Sequence, residues 1–446
     1  MPRLSSLSRF ALTALTPIAL AALLAGPASA QSLKELYEAA RAYDATYLAA
    51  KAQAQSAEFR AAQSEALARP SVAATAAATT AQTDPPVGGT VGSRTAQAAL
   101  SGRYPLFNRA NGVTMEQAKR SLESAAADLE AAEQDLIVRV AQAYFDVLGA
   151  QDTLANTRAN KAAITEQLAS ARRNFEVGTA TITDTREAQA RFDLATAQEI
   201  AAENDLRAKR IALDVLVGRS GVTPRPLAVP VALPPVAPAA VDEWVNNAET
   251  RHPTVRRAQV GLDVARLETE KARAAEKPTV DAVASLSVND SRGSAFTSFS
   301  RGTSSTGSIG VQLNWPLYTG GATQNRIQET LVLEDKAGND LQAARRGVAQ
   351  ATRVAFFGVQ SGQARVKALE AAESSSKLAL EATQLGFRVG VRVNLDVLNA
   401  QRDLFATQRD LALARYDVIV GQLRLRQASG QLSPGDIEAA DRLLAK

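Results

Sequence analysis

The chain has 446 residues, a formal net charge of +4, 5% aromatic residues and no cysteine. The absent thiols exclude disulfides, cysteine nucleophiles, cysteine-ligated zinc, iron–sulfur clusters and a lipid-anchored cysteine. The small, dispersed positive excess gives no footprint for nucleic acid.

The N-terminus is patterned as a secretion signal covering residues 1–30. Arg3 and Arg9 supply the positive region, Phe10 to Leu24 the apolar run, and Ala28-Ser29-Ala30 a small-x-small cleavage site. The mature chain is expected to begin at Gln31; the competing reading is a retained anchor. No later run has the 18 or so apolar residues of a membrane helix. The nearest, Leu227 to Val241, is broken by Pro230, Pro234, Pro235 and Pro238.

The rest of the chain is a sequence repeated twice. Arg69-Pro70-Ser71-Val72 matches Lys277-Pro278-Thr279-Val280, Tyr104-Pro105-Leu106-Phe107 matches Trp315-Pro316-Leu317-Tyr318, and Phe175-Glu176-Val177-Gly178 matches Phe387-Arg388-Val389-Gly390. The offsets, 208, 211 and 212, stay collinear, as a duplication requires. The predicted units are a first repeat at 31–221, a Pro/Ala-rich linker at 222–240, a second repeat at 241–432 and a tail at 433–446.

Each repeat opens with a predicted helix, Leu33 to Leu67 and Val241 to Glu276. Strands are predicted at about 71–83, 94–106, 279–289 and 305–317 from period-two alternation. Ile309, Val311, Leu313 and Trp315, for example, alternate with Gly310, Gln312 and Asn314. Tyr104 and Trp315 stand at matching strand ends, where an interfacial aromatic belt would place them. Alternation alone also fits a soluble sheet, but the polar connecting loops offer no apolar partner. Four strands cannot close a membrane barrel, whose smallest forms have about eight, so the chain must assemble. Two copies give eight strands and three give twelve.

Long helices are predicted at about 109–173, 184–218, 321–386 and 395–430. The first is about 65 residues, or roughly 100 Å. Its seam, Leu122, Ala126, Leu129, Leu136, Val140, Ala143 and Val147, is heptad-like, with Glu133 as the exception. In the last, Val397, Leu404, Leu411, Val418 and Leu425 recur every seven residues beside a small-residue stripe. A coiled-coil fibre would share the helices but leave the strand pairs unexplained. A periplasmic adaptor would lack the duplication.

Three stretches carry a resemblance: Phe387 to Arg392, Asp396 to Ala400, and Ala414-Arg415-Tyr416 with Gly421-Gln422-Leu423, together with Phe175 to Gly178 and Ile182-Thr183-Asp184 of the first repeat. They closely resemble the TolC-type outer-membrane factors. The resemblance implies a mainly α protein with a small β part: one protomer of a homotrimer, with a twelve-stranded barrel in the outer-membrane lipid continuous with a long periplasmic α-helical barrel. The linker and tail would form a girdle. The distal end would open like an iris onto a periplasmic adaptor and an inner-membrane transporter of the RND or ABC type. It would be an exit duct for small molecules or secreted proteins in a tripartite efflux or type I secretion system, with no cofactor, no metal and no enzymatic activity.

The resemblance makes Val177, Gly178, Thr179, Val389, Gly390 and Val391 the adaptor-docking tips; as plain chemistry they are tight-turn residues. It makes Asp396 an acidic ring at the tunnel mouth, although a carboxylate there also suits a helix N-terminus. Asn399 stands where relatives often carry a second acid, so weaker cation selectivity is expected. It gives Arg392 a latch to the first-repeat tip at Thr183 and Asp184. Phe387 replaces a tyrosine, removing a hydroxyl from that latch. His252, the sole histidine, precedes Pro253 and reads as structural. No P-loop, GxGxxG turn or HExxH motif is present, and the acidic residues form no evident catalytic pair.

Overall fold

The structure, a computed structural model, describes residues 30–84, 86, 89–179, 181–228, 230–231, 233–295 and 301–445. The signal sequence expected at 1–30 lies outside them except for Ala30. No described helix is long and apolar enough to cross a membrane.

The first repeat comprises α1 (Leu33–Tyr43), α2 (Ala45–Glu65), β1 (Ser71–Thr83), β2 (Val91–Phe107), α3 (Arg109–Glu176) and α4 (Ile182–Val217). The second comprises α5 (Val241–Arg251), α6 (Pro253–Ala274), β3 (Thr279–Gly293), β4 (Gly302–Asn314), α7 (Ala322–Arg388) and α8 (Asn394–Ala428), followed by the short α9 (Pro434–Asp441).

The opening helix of each repeat is broken, where the sequence suggests continuity. Asp44 is extended, at ψ 115°, and ends α1. Its carboxylate accepts the Tyr47 N–H at 2.8 Å, capping α2. Both terminal nitrogens of Arg139 hold it at 3.0 Å. In the second repeat Pro253 drives His252 into extended backbone, and the His252 Nδ1 accepts the Thr254 N–H at 3.1 Å. The C-terminal glycines of α4 and α8 pack onto these breaks. Gly430, at φ +68°, would place a Cβ 2.6 Å from the His252 Cα, and Gly218 would place one 2.4 Å from the Tyr43 Cγ.

The four strands form one antiparallel sheet in the order β1-β2-β3-β4. β2 and β4 start about three residues earlier than their alternation suggests, and β3 runs on to Gly293. The polar residues there keep pairing in register, because the ladder is made by backbone and does not need apolar side chains. One face carries Val72, Leu100, Tyr104, Leu286, Val288, Ile309, Val311 and Leu313, all exposed. The other carries the Arg103–Asp281 pair at 2.6 Å and the Ser285–Ser308 hydroxyl pair at 2.8 Å. β1 and β4 each leave one edge unpaired.

The helices form a layer with the same property. Near the sheet it runs α2-α3-α6-α7, and toward the tips α4-α3-α8-α7. Exposed apolar side chains remain on its flanks: Val332, Val354, Phe357 and Leu378 on α7, and Phe59, Leu194, Ile200 and Ile211 on α2 and α4. The densest core lies midway, where Leu136, Val140, Tyr144 and Val147 of α3 meet α1, α4, α8 and α9. Glu133, the break in the α3 seam, accepts the Tyr37 hydroxyl at 3.0 Å and pairs with Arg41 at 3.1 Å. The linker and tail converge on this level. The Ala445 N–H donates to the Pro226 carbonyl and the Ala228 N–H to the Leu443 carbonyl.

Gly430→Ala is expected to cost about 1–3 kcal/mol, because the backbone conformation and the His252 contact both exclude a side chain. Thermal unfolding followed by circular dichroism measures it; an unchanged midpoint would contradict the close approach.

Candidate functional site

Both long hairpins close with the same turn. In the first, Val177 ends α3 at φ −90°, ψ 5°, and Gly178 turns at φ +76°. In the second, Val389 sits at φ −92°, ψ 5° and Gly390 at φ +80°. The Thr179 N–H reaches back to the Asn174 carbonyl at 2.8 Å, and the Val391 N–H to that of Gly386 at 2.9 Å. These are glycine-dependent helix stops that satisfy the last carbonyls. They leave Val177, Val389 and Val391 pointing into water, with Val391 75% exposed.

Beyond the turns the repeats diverge. Thr181 caps α4: its hydroxyl accepts the Asp184 N–H at 3.2 Å, and the Asp184 carboxylate takes the Thr181 N–H at 2.9 Å and hydroxyl at 2.7 Å. This is a reciprocal capping box. At the equivalent position α8 begins after Val393, which has no hydroxyl and makes no side-chain cap. Asp396, the repeat partner of Asp184, is therefore released from capping. Its carboxylate lies 3.6 Å from the Arg392 guanidinium, both groups being substantially exposed. A pair so open to water contributes little to stability, so its charge remains usable.

The two tips share a cleft of about 430 Å³ lined by Thr179, Asp184, Phe387, Gly390 and Arg392, among others. Arg392 folds against Gly386, where an added Cβ would lie 2.8 Å from its Cγ. Within the protomer Arg392 bonds neither Thr183 nor Asp184; among the described residues its ion pair is Asp396. Thr183 is exposed on the first turn of α4. Asn399 lies one turn into α8, where its Oδ1 accepts from Arg191 of α4 at 3.2 Å. Arg191 is a partner of the tip region that sequence reasoning misses, because nothing local marks a contact spanning 208 residues.

Deeper in the layer, the Tyr416 hydroxyl of α8 donates to Asp152 of α3 at 2.6 Å. Burial pushes the Asp152 carboxyl above its ordinary range, and the Tyr416 hydrogen bond partly opposes this. At the other end, Tyr104 is exposed on the apolar face of the sheet. Trp315 lies just past β4 and donates its indole N–H to the Glu276 carbonyl at 3.2 Å. Among the described residues no group of three or more His, Asp or Glu could hold a metal.

The family model for outer membrane efflux proteins matches residues 36–219 and 244–431, one match per repeat. The chain belongs to the outer membrane efflux protein family. It is 34% identical to the outer membrane protein TolC of Vibrio cholerae, across 76% of this chain and 78% of that one. It is 36% identical to the alkaline protease secretion protein AprF of Pseudomonas aeruginosa, across 68% of this chain and 63% of that one. Among solved structures, CusC superposes with a TM-score of 0.77 at 19% identity, covering 90% of this chain and 92% of that one. The outer membrane protein VceC of Vibrio cholerae gives 0.75 at 20%, covering 89% and 96%. The fold is therefore that of the family's channels, a helical barrel carrying a small β-barrel. Membership makes the chain an outer-membrane channel component extending into the periplasm, and not an enzyme.

Tyr416→Phe removes the phenol donor from the Asp152 carboxylate, which is only partly shielded from water, and is expected to cost about 1 kcal/mol at neutral pH. Losing a donor to the charged form raises the acid's pKa further. The deficit should therefore shrink as pH falls through that raised value and Asp152 protonates. Chemical unfolding as a function of pH checks this; a deficit independent of pH would contradict it.

Proposed function

We propose that three copies of this chain close into one duct through which an inner-membrane transporter and a periplasmic adaptor expel small molecules or secreted polypeptides. The observation that carries this is the sheet with two bare edges and a one-sided apolar face. In lipid an open edge leaves amides and carbonyls without partners, so the β4 edge of one copy must meet the β1 edge of the next. Copy number is set by the bore. Eight strands give an interior that side chains fill, whereas twelve leave room for a passage. The same threefold closure pairs the apolar flank of α7 with those of α2 and α4, giving a ring of twelve helices at each level.

The linker and tail, which meet beside the α3 core, would form the girdle around this ring. The transported class is inferred from the relatives: one is named for protease secretion and the family for efflux. Docking falls to the tips. Val177, Gly178, Thr179, Val389, Gly390 and Val391 form two glycine turns that expose three valines, the surface a helical hairpin of an adaptor would cover. Tyr104 and Trp315 would sit at the periplasmic membrane interface. Asp396 would form a ring of three carboxylates at the mouth. Asn399, already engaged by Arg191, adds no second ring, so cation selectivity should be weaker than with six charges. Arg392 would hold the closed mouth, either on Asp396 or across to the Thr183–Asp184 tip of a neighbour, with Phe387 packing beside it.

In planar bilayers Asp396→Ala should move the cation-to-anion permeability ratio toward unity, while Asp184→Ala should leave it unchanged and cost about 1 kcal/mol of stability through the lost cap. Equal effects of the two substitutions on selectivity would contradict the assignment of the mouth. Arg392→Ser should raise single-channel conductance; unchanged conductance would place the latch elsewhere.

A further inference from the structure

On β3 the apolar face ends at Val288; β4 already carries Ser305 in that row, and β2 keeps Ala96 in the next. Across the register, the rows of this face run from Val280 and Leu313 near the helices to Ala98 and Val288. That is a band of about 27 Å along the strand, or roughly 20 Å across a membrane at the usual tilt. The next row on the same face is Ala96, Asp290 and Thr303, and the row after it sets Arg94 directly opposite Arg292. Like charges directly opposed on neighbouring strands destabilise a sheet, so an anion is needed between them. Asp290 supplies one: it lies 2.9 Å from the Arg292 Nε and also accepts the Thr303 hydroxyl at 3.2 Å. Arg94 is exposed, and no described residue pairs with it. One carboxylate thus meets one of the two guanidiniums and leaves Arg94 without a counterion among the described residues. The pair is not on a loose tip either, since pairing continues through Ser93 and Gly293 and the Ala295 N–H donates to the Gly92 carbonyl at 3.1 Å.

We propose that Arg94 and Arg292 form a phosphate clasp for an outer-leaflet lipid, a phosphorylated glycolipid whose acyl chains lie along the apolar band. Three such clasps would ring the outer rim of the trimer. The chemistry suits the geometry: a guanidinium is a planar fork that takes phosphate oxygens in pairs. The position suits a lipid better than a free ion, because the arginines continue the lipid-facing side of the sheet at headgroup height, not the lumen side. The proposal rests on the reading of the apolar face as the membrane wall.

The test uses the full channel, purified in neutral detergent, loaded with bisphosphorylated lipid A or its dephosphorylated form and examined by native mass spectrometry. Wild type should retain the phosphorylated lipid roughly five- to tenfold better. R94Q/R292Q should lose that preference, R94K/R292K should keep most of it, and excess inorganic phosphate should not displace the lipid. Equal retention of both lipids by wild type, an undiminished preference in R94Q/R292Q, or full displacement by inorganic phosphate would each overturn the clasp. Conductance in planar bilayers separates the underlying reading: variants that lose the preference yet still conduct have an intact wall. If R94Q/R292Q fails to assemble, R94Q alone and the lysine pair carry the comparison. A wild-type chain that neither conducts nor takes lipid would overturn the wall itself.

Discussion

Two rows of bare backbone, along Ser71–Thr83 and along Gly302–Asn314, govern this molecule. In water such edges are tolerable; in hydrocarbon each unmet amide or carbonyl costs several kcal/mol. In the proposed wall the exposed apolar side chains on one face of the same sheet would meet hydrocarbon. The only relief is a neighbouring edge of matching length, and each strand is 13 residues long. The helical layer beneath carries the same incompleteness in apolar side chains, so in the proposed trimer one rotation would satisfy both parts.

The duplication supplies a repeated scaffold, and small departures from the repeat supply what is specific. The broken opening helix recurs, pinned by Asp44 in one half and His252 in the other, and a glycine closes on each break. Burial lowers the His252 pKa, so the ring caps α6 in its neutral form. At the tips one hydroxyl separates the halves. Thr181 consumes the Asp184 carboxylate in a cap, whereas Val393 leaves that of Asp396 to Arg392. A single substitution in a duplicated hairpin thus distinguishes a structural acid from one with charge to spare.

The architecture is legible in the sequence because its signals are periodic. Heptads, alternating strands and a collinear offset each repeat often enough to outvote local noise, and the glycines of the tips mark their own turns. The features that sequence does not reveal depend on residues far apart in the chain. Asp44 breaks its helix with help from Arg139, 95 residues away. Asn399 meets Arg191 and Asp152 meets Tyr416 across 208 and 264 residues. The strands outrun their apolar alternation because Ser and Thr ladders pair as well as Val ladders do. The Arg392 contact named by family likeness is, within one protomer, an ion pair to the first turn of the helix that follows it.

The most direct measurement is the mass of the detergent-solubilised protein by light scattering, with intersubunit crosslinks between β1 and β4. A species of three chains, joined by a same-face cysteine pair such as Thr75→Cys with Ser308→Cys or a neighbouring register, is the expected result. A detergent-free monomer with Trp315 shielded inside it would contradict threefold closure of the wall.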